Sequence, residues 1–259
     1  MYYPKDYPHK FIELDKKSEK VWKQFSPKVF TGESQDIEVS YLGITVGKIF
    51  LTTKKDVMVG DKQAYHFYAH LKSAPFYRFI YELDDTLESF VEKKTFLPVS
   101  YKLLQIETNK KIEDYQLFDR ENHRLYFRYK KNKKGVITDE KMDLYIPKYS
   151  QDAFSMLYFA RGLPFETGKS YQFPVTTKDK VWYLTVKKVG EETVTTEYGK
   201  IPCLKLEAQT EYDGEYAKKG KMEIWLSNDG DRHIVQFSGE VKFGKIKGTT
   251  VSYQKVNKK

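Results

Sequence analysis

The stretch Arg124-Leu-Tyr-Phe-Arg-Tyr-Lys130 decides the fold. Leu125, Phe127 and Tyr129 point to one face while Arg124, Arg128 and Lys130 point to the other, which is the two-residue period of a half-buried strand. The same alternation, broken at turn residues, recurs from about Ser34 to the C-terminus. Many such strands in one chain predict a sandwich, a barrel or a curled sheet.

Working outward, turn signals at Gly43, Gly60-Asp61, Asn109-Lys110, Glu121-Asn122 and Asn132 to Gly135 divide Asp36 to Pro147 into about eight strands. A second block from Tyr171 to Tyr253 has signals at Thr177 to Lys180, Gly190, Tyr198-Gly199, Asp213-Gly214 and Asn228-Asp229-Gly230, giving six or seven more. Between the blocks, Ser150 to Gly162 switches to helical spacing. Ser150 is the expected N-cap, Ala153, Leu157 and Ala160 form a stripe, and Gly162 is the C-cap. A second helix is expected over Phe11 to Phe25, with Phe11, Leu14, Val21, Trp22 and Phe25 on one face and Pro27 ending it. Its expected role is to cover an edge or mouth of the sheet, with binding to a membrane surface as the alternative. The expected fold class is therefore all-β: a long antiparallel curled sheet or open barrel with a short central helix. Residues 1–33 form a helical extension to one β domain over 34–259.

Composition sets outer limits. The 259 residues include 21 Tyr, 17 Phe and 3 Trp, so burial relies on aromatics suited to pleated surfaces. With 45 Lys plus Arg against 36 Asp plus Glu, the formal charge of +9 favours an anionic partner. The basic residues are dispersed among apolar ones, as on solvent-facing strands, so no nucleic acid is expected. Cys203 stands alone in Ile201-Pro-Cys-Leu-Lys-Leu206, which excludes an internal disulfide or cysteine-based zinc cluster and predicts a small buried hydrophobe. No run of 18 apolar residues is present, so no transmembrane helix is expected, and Met1 to Lys10 lacks the apolar region of a signal peptide.

Several segments resemble a bacterial envelope family known only as domain of unknown function three-one-zero-eight. They are Val39-Ser-Tyr-Leu-Gly-Ile-Thr-Val-Gly47, Tyr81-Glu-Leu-Asp-Asp-Thr-Leu-Glu-Ser-Phe-Val91 with Leu97-Pro98, Asp152-Ala-Phe-Ser-Met-Leu-Tyr-Phe-Ala-Arg161, and Met222-Glu-Ile-Trp-Leu-Ser227. The resemblance covers nearly everything after Gly32 and carries no catalytic motif. It implies a curled antiparallel sheet similar in shape to lipoprotein carriers. It also implies export to the periplasm, with a signal peptide preceding Tyr2 in the natural precursor. The helical extension has no counterpart in it.

Candidate chemistry is sparse. His66 and His70 have a four-residue spacing that suits zinc on a helix, but on a strand they stand about 13 Å apart, too far for one ion. Glu82, Asp84 and Glu88 share a strand face and are expected to be ion-paired, and Asn228 to Asp231 reads as a hairpin turn without the distal Glu of a calcium loop. No cofactor, metal or catalytic residue is expected. The most site-like segment is Ala153 to Ala160, too apolar all round for a wet surface. Two readings stand side by side. In the first, Phe154, Leu157, Tyr158 and Phe159, with Trp225 from a strand, line an apolar groove for a lipid or other hydrophobic molecule. In the second, the same side chains fill the core, and the outer strands contact an anionic envelope component or another protein.

Overall fold

The computed structural model describes residues 3–178, 180–212, 215–216, 222–241 and 244–256. Helix α1 (His9–Trp22) leads into β1 (Ser34–Tyr41), β2 (Ile44–Val59), β3 (Lys62–Ser73), β4 (Asp84–Glu92), β5 (Pro98–Glu107), β6 (Lys110–Asp119), β7 (Arg124–Lys133) and β8 (Val136–Tyr145). Then come β9 (Gln151–Asp152) and α2 (Ser155–Arg161). The chain continues through β10 (Ser170–Thr177), β11 (Lys180–Thr196), β12 (Gly199–Tyr212), β13 (Glu215–Tyr216), β14 (Met222–Ser227), β15 (Ile234–Glu240) and β16 (Lys245–Gln254).

All these strands belong to one sheet in the order β8-β7-β6-β5-β4-β3-β2-β1-β16-β15-β14-β12-β11-β10-β9, with β13 on β12. It is two antiparallel meanders joined where β1 pairs β16, and only the short β9 runs parallel to its neighbour β10. The sheet curls without closing. In β7, Leu125 and Phe127 are buried while Tyr126, Arg128 and Lys130 are exposed, the alternation read from the sequence. One apolar cluster collects Ile37, Phe67 and Phe127 from the first meander and Phe173, Val186, Leu206 and Leu226 from the second. Free edges β8 and β9 do not pair. Instead β9 turns against the inner face of β4, where Ser89 Oγ donates to Asp152 Oδ2 at 2.5 Å. Lys178 in the β10–β11 turn reaches Glu140 of β8 at 2.8 Å.

Four local expectations are corrected. Helix α2 starts at Ser155, because Gln151 and Asp152 are drawn into pairing with Val175 and Thr176. Its first turn is capped by Asp152, whose Oδ1 accepts from the N–H groups of Phe154 and Ser155 at 2.8 and 2.7 Å, so Ser150 is not the N-cap. Gly162 is the C-cap as read. Helix α1 ends at Trp22, five residues before Pro27, with Lys23 as its C-cap. Gly190 makes no turn; it sits at a register shift within the β11–β12 ladder. The turn expected at Asp213-Gly214 lies outside the described residues.

Candidate functional site

The inner face is built around α2. Tyr158 stacks on Phe67 with ring centroids 3.6 Å apart, and Phe154 meets Phe67 edge-on. Phe159 is enclosed by Trp22 at 4.7 Å, Phe25 at 4.6 Å and Phe173 at 4.8 Å. Two of these three rings come from α1 and the turn after it. Helix α1 is held there by its buried Asp15, which accepts from Tyr7 Oη and from the Lys148 N–H, each at 2.8 Å. The join is tight at Gly162: a Cβ there would lie 2.2 Å from the Phe25 ring and 2.5 Å from the Ser26 carbonyl oxygen, so no side chain fits. The sequence showed Trp22 and Phe25 on an amphipathic face but not that they cover Phe159. Leu157 is half-buried at the margin of the same cluster.

Trp225 is not brought to this place. Cross-strand register sets Ile224 and Leu226 opposite Leu206 and Leu204 on the inner face, so Trp225 faces outward. There it packs with Val194, Cys203 and Val235, donates through Nε1 to Glu192, and lies under Lys205 Nζ at 4.9 Å. Burial pushes the Cys203 thiol up to about 11, which leaves it a poor nucleophile.

Both ends of α2 are fixed by buried charge. At its C-terminus Arg161 forms a bidentate pair with Glu33, Nη1 to Oε1 at 2.7 Å and Nη2 to Oε2 at 2.9 Å, and Nη2 also donates to the Asp231 carbonyl. At its N-terminus burial raises the pKa of the capping Asp152. Nearby Arg120 donates to the carbonyls of Pro98 and Ser150, and burial pulls it down to about 9.

Asp114 is a second inward carboxyl. It accepts from Gln116 Nε2 at 3.0 Å through Oδ2, while its buried Oδ1 has no partner, and burial raises it to about 6. A carboxyl whose pKa is higher in the fold than in the unfolded chain favours folding while protonated. Stability is therefore lost as pH rises from the ordinary carboxylate range to about 6, and is flat above. Asp114→Asn is expected to raise stability at pH 7.5 by about 1 to 3 kcal/mol and to remove that slope. Urea unfolding at about pH 4.5 and 7.5 measures it; equal slopes in both proteins would sink the assignment.

On the outer face Asp84 and Glu88 are ion-paired as expected, with Lys72 and Lys54, and each also meets a histidine: His66 Nε2 lies 2.5 Å from Glu88 and His70 Nε2 lies 2.7 Å from Asp84. Glu82 does not share their strand face, because β4 begins at Asp84; it binds Arg78 in the connection before the strand. No group of three or more His, Cys, Asp or Glu among the described residues could hold a metal ion. At Asn228 to Asp231, Asp229 Oδ1 accepts from Ser227 Oγ and from the N–H groups of Asp231 and Arg232, a turn motif. A trough of about 550 Å³ crosses the outer face of β4 to β7, lined by Thr86, Glu88, Lys102, Leu104, Glu113, Tyr115, Arg128 and Lys130. Lys102 Nζ lies over the rings of Phe90 and Tyr115. Among the described residues neither Lys102 nor Lys130 has a carboxylate partner within salt-bridge distance, whereas Arg128 is paired with Asp139.

The sequence profile of a family described as "Protein of unknown function (DUF3108)" matches residues 36–251. No curated protein matches. Among solved structures, a β-barrel-like protein of domain of unknown function DUF1849 from Brucella abortus superposes with a TM-score of 0.57 at 10% identity, covering 88% of this chain and 99% of its own. That likeness shows a shared fold. Weaker superpositions are found with a provisionally assigned lipoprotein from Parabacteroides distasonis (TM-score 0.38, 11% identity, 89% and 99% covered). A provisionally assigned exported protein with a YmcC-like fold from Bacteroides fragilis is similar at TM-score 0.36 and 10% identity, with the same coverage. No helix among the described residues is long and apolar enough to cross a membrane.

Proposed function

From the premise that the chain belongs to the DUF3108 family, we propose that it is a non-catalytic protein of the bacterial envelope that acts through its surface, its interior being filled by its own side chains. The envelope assignment draws on the resemblance to a family of mostly exported proteins. The observation that carries the surface reading is the enclosure of Phe159 by Trp22, Phe25 and Phe173, which occupies the space a ligand would need beside α2. The trough with Lys102, Tyr115 and Lys130 then offers cations and an aromatic face to an anionic partner such as an acidic glycan.

Retention of the purified protein on lipopolysaccharide-coated or peptidoglycan supports tests this. Lys102→Glu with Lys130→Glu is expected to weaken retention about fivefold at low salt, each rim charge contributing up to about 1 kcal/mol. Retention equal to that of the wild type overturns the trough as the contact surface.

A second reading is favoured by one observation: the residues matched by the family begin after α1, so the rings of Trp22 and Phe25 are additions to the matched fold. On this reading Phe154, Leu157, Tyr158 and Phe159 contact a lipid or other amphipathic molecule when α1 withdraws, α1 being a plug on the β domain. A fluorescent fatty-acid probe that binds a Trp22→Ala, Phe25→Ala variant saturably supports it. Mass spectrometry of organic extracts from the wild-type protein provides the companion measurement. A folded variant that binds no probe, with no lipid in the extract, removes this reading.

A further inference from the structure

Antiparallel meanders place alternate turns at opposite ends of a sheet. The end holding the β6–β7 turn is covered by α1, through Tyr7 on His123 and Tyr7 Oη on the Ile146 carbonyl. The opposite end holds the β1–β2 turn and the β3–β4 connection, which among the described residues present large apolar side chains to solvent. In that connection, Ala74-Pro-Phe-Tyr-Arg-Phe-Ile-Tyr81, Phe79 is 95% exposed, Phe76 79% and Ile80 70%, and in the adjacent β1–β2 turn Leu42 is 71% exposed. The two are neighbours: the Ala74 N–H donates to the Val46 carbonyl just beyond that turn.

This is an ordered structure rather than a slack loop. Tyr77–Phe79 form a 3₁₀ turn, and the N–H groups of Tyr77, Arg78, Ile80 and Tyr81 all bond to carbonyls of Ala74 or Tyr77. Its flanks are tied to the sheet by Ser73 N–H to Leu83 carbonyl and Thr108 N–H to Glu82 carbonyl. A large apolar surface displayed on a rigid, internally hydrogen-bonded turn marks an interaction site.

We infer that this end of the sheet docks on an anionic lipid surface, with Phe76, Phe79, Ile80 and Leu42 inserted at the level of the headgroups. Three observations favour lipid as the occupant. The feature is a projecting knob, suited to entering a soft interface. Four backbone donors of the turn are already satisfied within it, which lowers the cost of bringing the turn to the headgroup level. The cations Lys48, Lys72 and Arg78 stand around its base, each beside a carboxylate of the fold, Glu38, Asp84 and Glu82, in solvent-exposed pairs that lipid phosphates can share as the rings insert, on a chain of formal charge +9. The inference takes from the proposed function only that an envelope protein meets a membrane. Vesicle binding and glycan retention are separate measurements, so either can fail alone.

The test is co-sedimentation of the full chain with phosphatidylethanolamine and phosphatidylglycerol vesicles, alongside neutral phosphatidylcholine vesicles. Wild type is expected to partition onto the anionic vesicles. Phe76→Ser with Phe79→Ser is expected to lower partitioning at least about tenfold without changing the melting temperature, since these rings pack on little in the fold. Met58→Ser, removing an exposed apolar side chain at the other end, is expected to leave it unchanged. Failure of wild type to bind anionic vesicles, or equal binding by the double variant, overturns the inference. So does a wild-type dimer that the double variant converts to monomer, because a second copy would then be the occupant.

Discussion

Arg161→Met is expected to destabilise the protein by about 3 to 5 kcal/mol at neutral pH, because it strands the Glu33 carboxylate in a place water does not reach. Both residues are 3% exposed, and the two parallel hydrogen bonds between them are the main compensation either has for losing its hydration. Without the guanidinium, Glu33 keeps only the hydroxyls of Thr53 and Tyr253 as side-chain partners, and these do not offset the burial of a charge. Replacing both residues, Arg161→Met with Glu33→Leu, should recover most of the loss, since an apolar pair of similar size carries no desolvation cost. Urea unfolding of the wild type and the two variants reads this out, and a loss below about 1 kcal/mol in the single variant would show that the pair does not hold α2 in place.

Phe159→Ala should cost about 3 to 5 kcal/mol, the range for emptying a fully enclosed aromatic site. Phe159 has no exposed surface and is gripped by rings from α1, from the turn after it and from β10, parts of the chain that cannot easily collapse together. Leu157→Ala on the same helix should cost about 1 to 2 kcal/mol, because its side chain is half-exposed and its removal leaves less of a void. Thermal melts of both variants test the ordering. Equal losses would mean that the packing around Phe159 is looser than its ring contacts imply.

The meanders were legible because a strand with one face in the core writes its burial into alternate residues, as Leu125 and Phe127 do against Arg128 and Lys130. What escaped the sequence was set by distant parts of the chain. Gln151 and Asp152 are helix-compatible residues, yet pairing with Val175 and Thr176 draws them into a strand. Phe25 keeps the helical rhythm of α1, but the chain has already turned at Lys23, which aims the ring at Phe159. In β14 both faces are apolar, with Trp225 on one and Ile224 and Leu226 on the other, so alternation alone could not say which looked inward. The Glu33–Arg161 pair joins residues 128 positions apart and leaves no local signature. The exposure of Phe76, Phe79 and Ile80 has no signature in the sequence, because exposure is not written in residue type.

The junction of β1 with β16 determines when folding can finish. Every other antiparallel pairing on the path joins strands close along the chain and can zip up as a hairpin, but Gln35 meets Tyr253 only across almost the whole sequence. Closing so long a loop costs entropy that no local contact repays, so this seam is expected to form last and to limit the rate. Until it forms, two half-sheets each present an unpaired strand to any other chain nearby, which makes the period before the last strand arrives the time of greatest risk from aggregation.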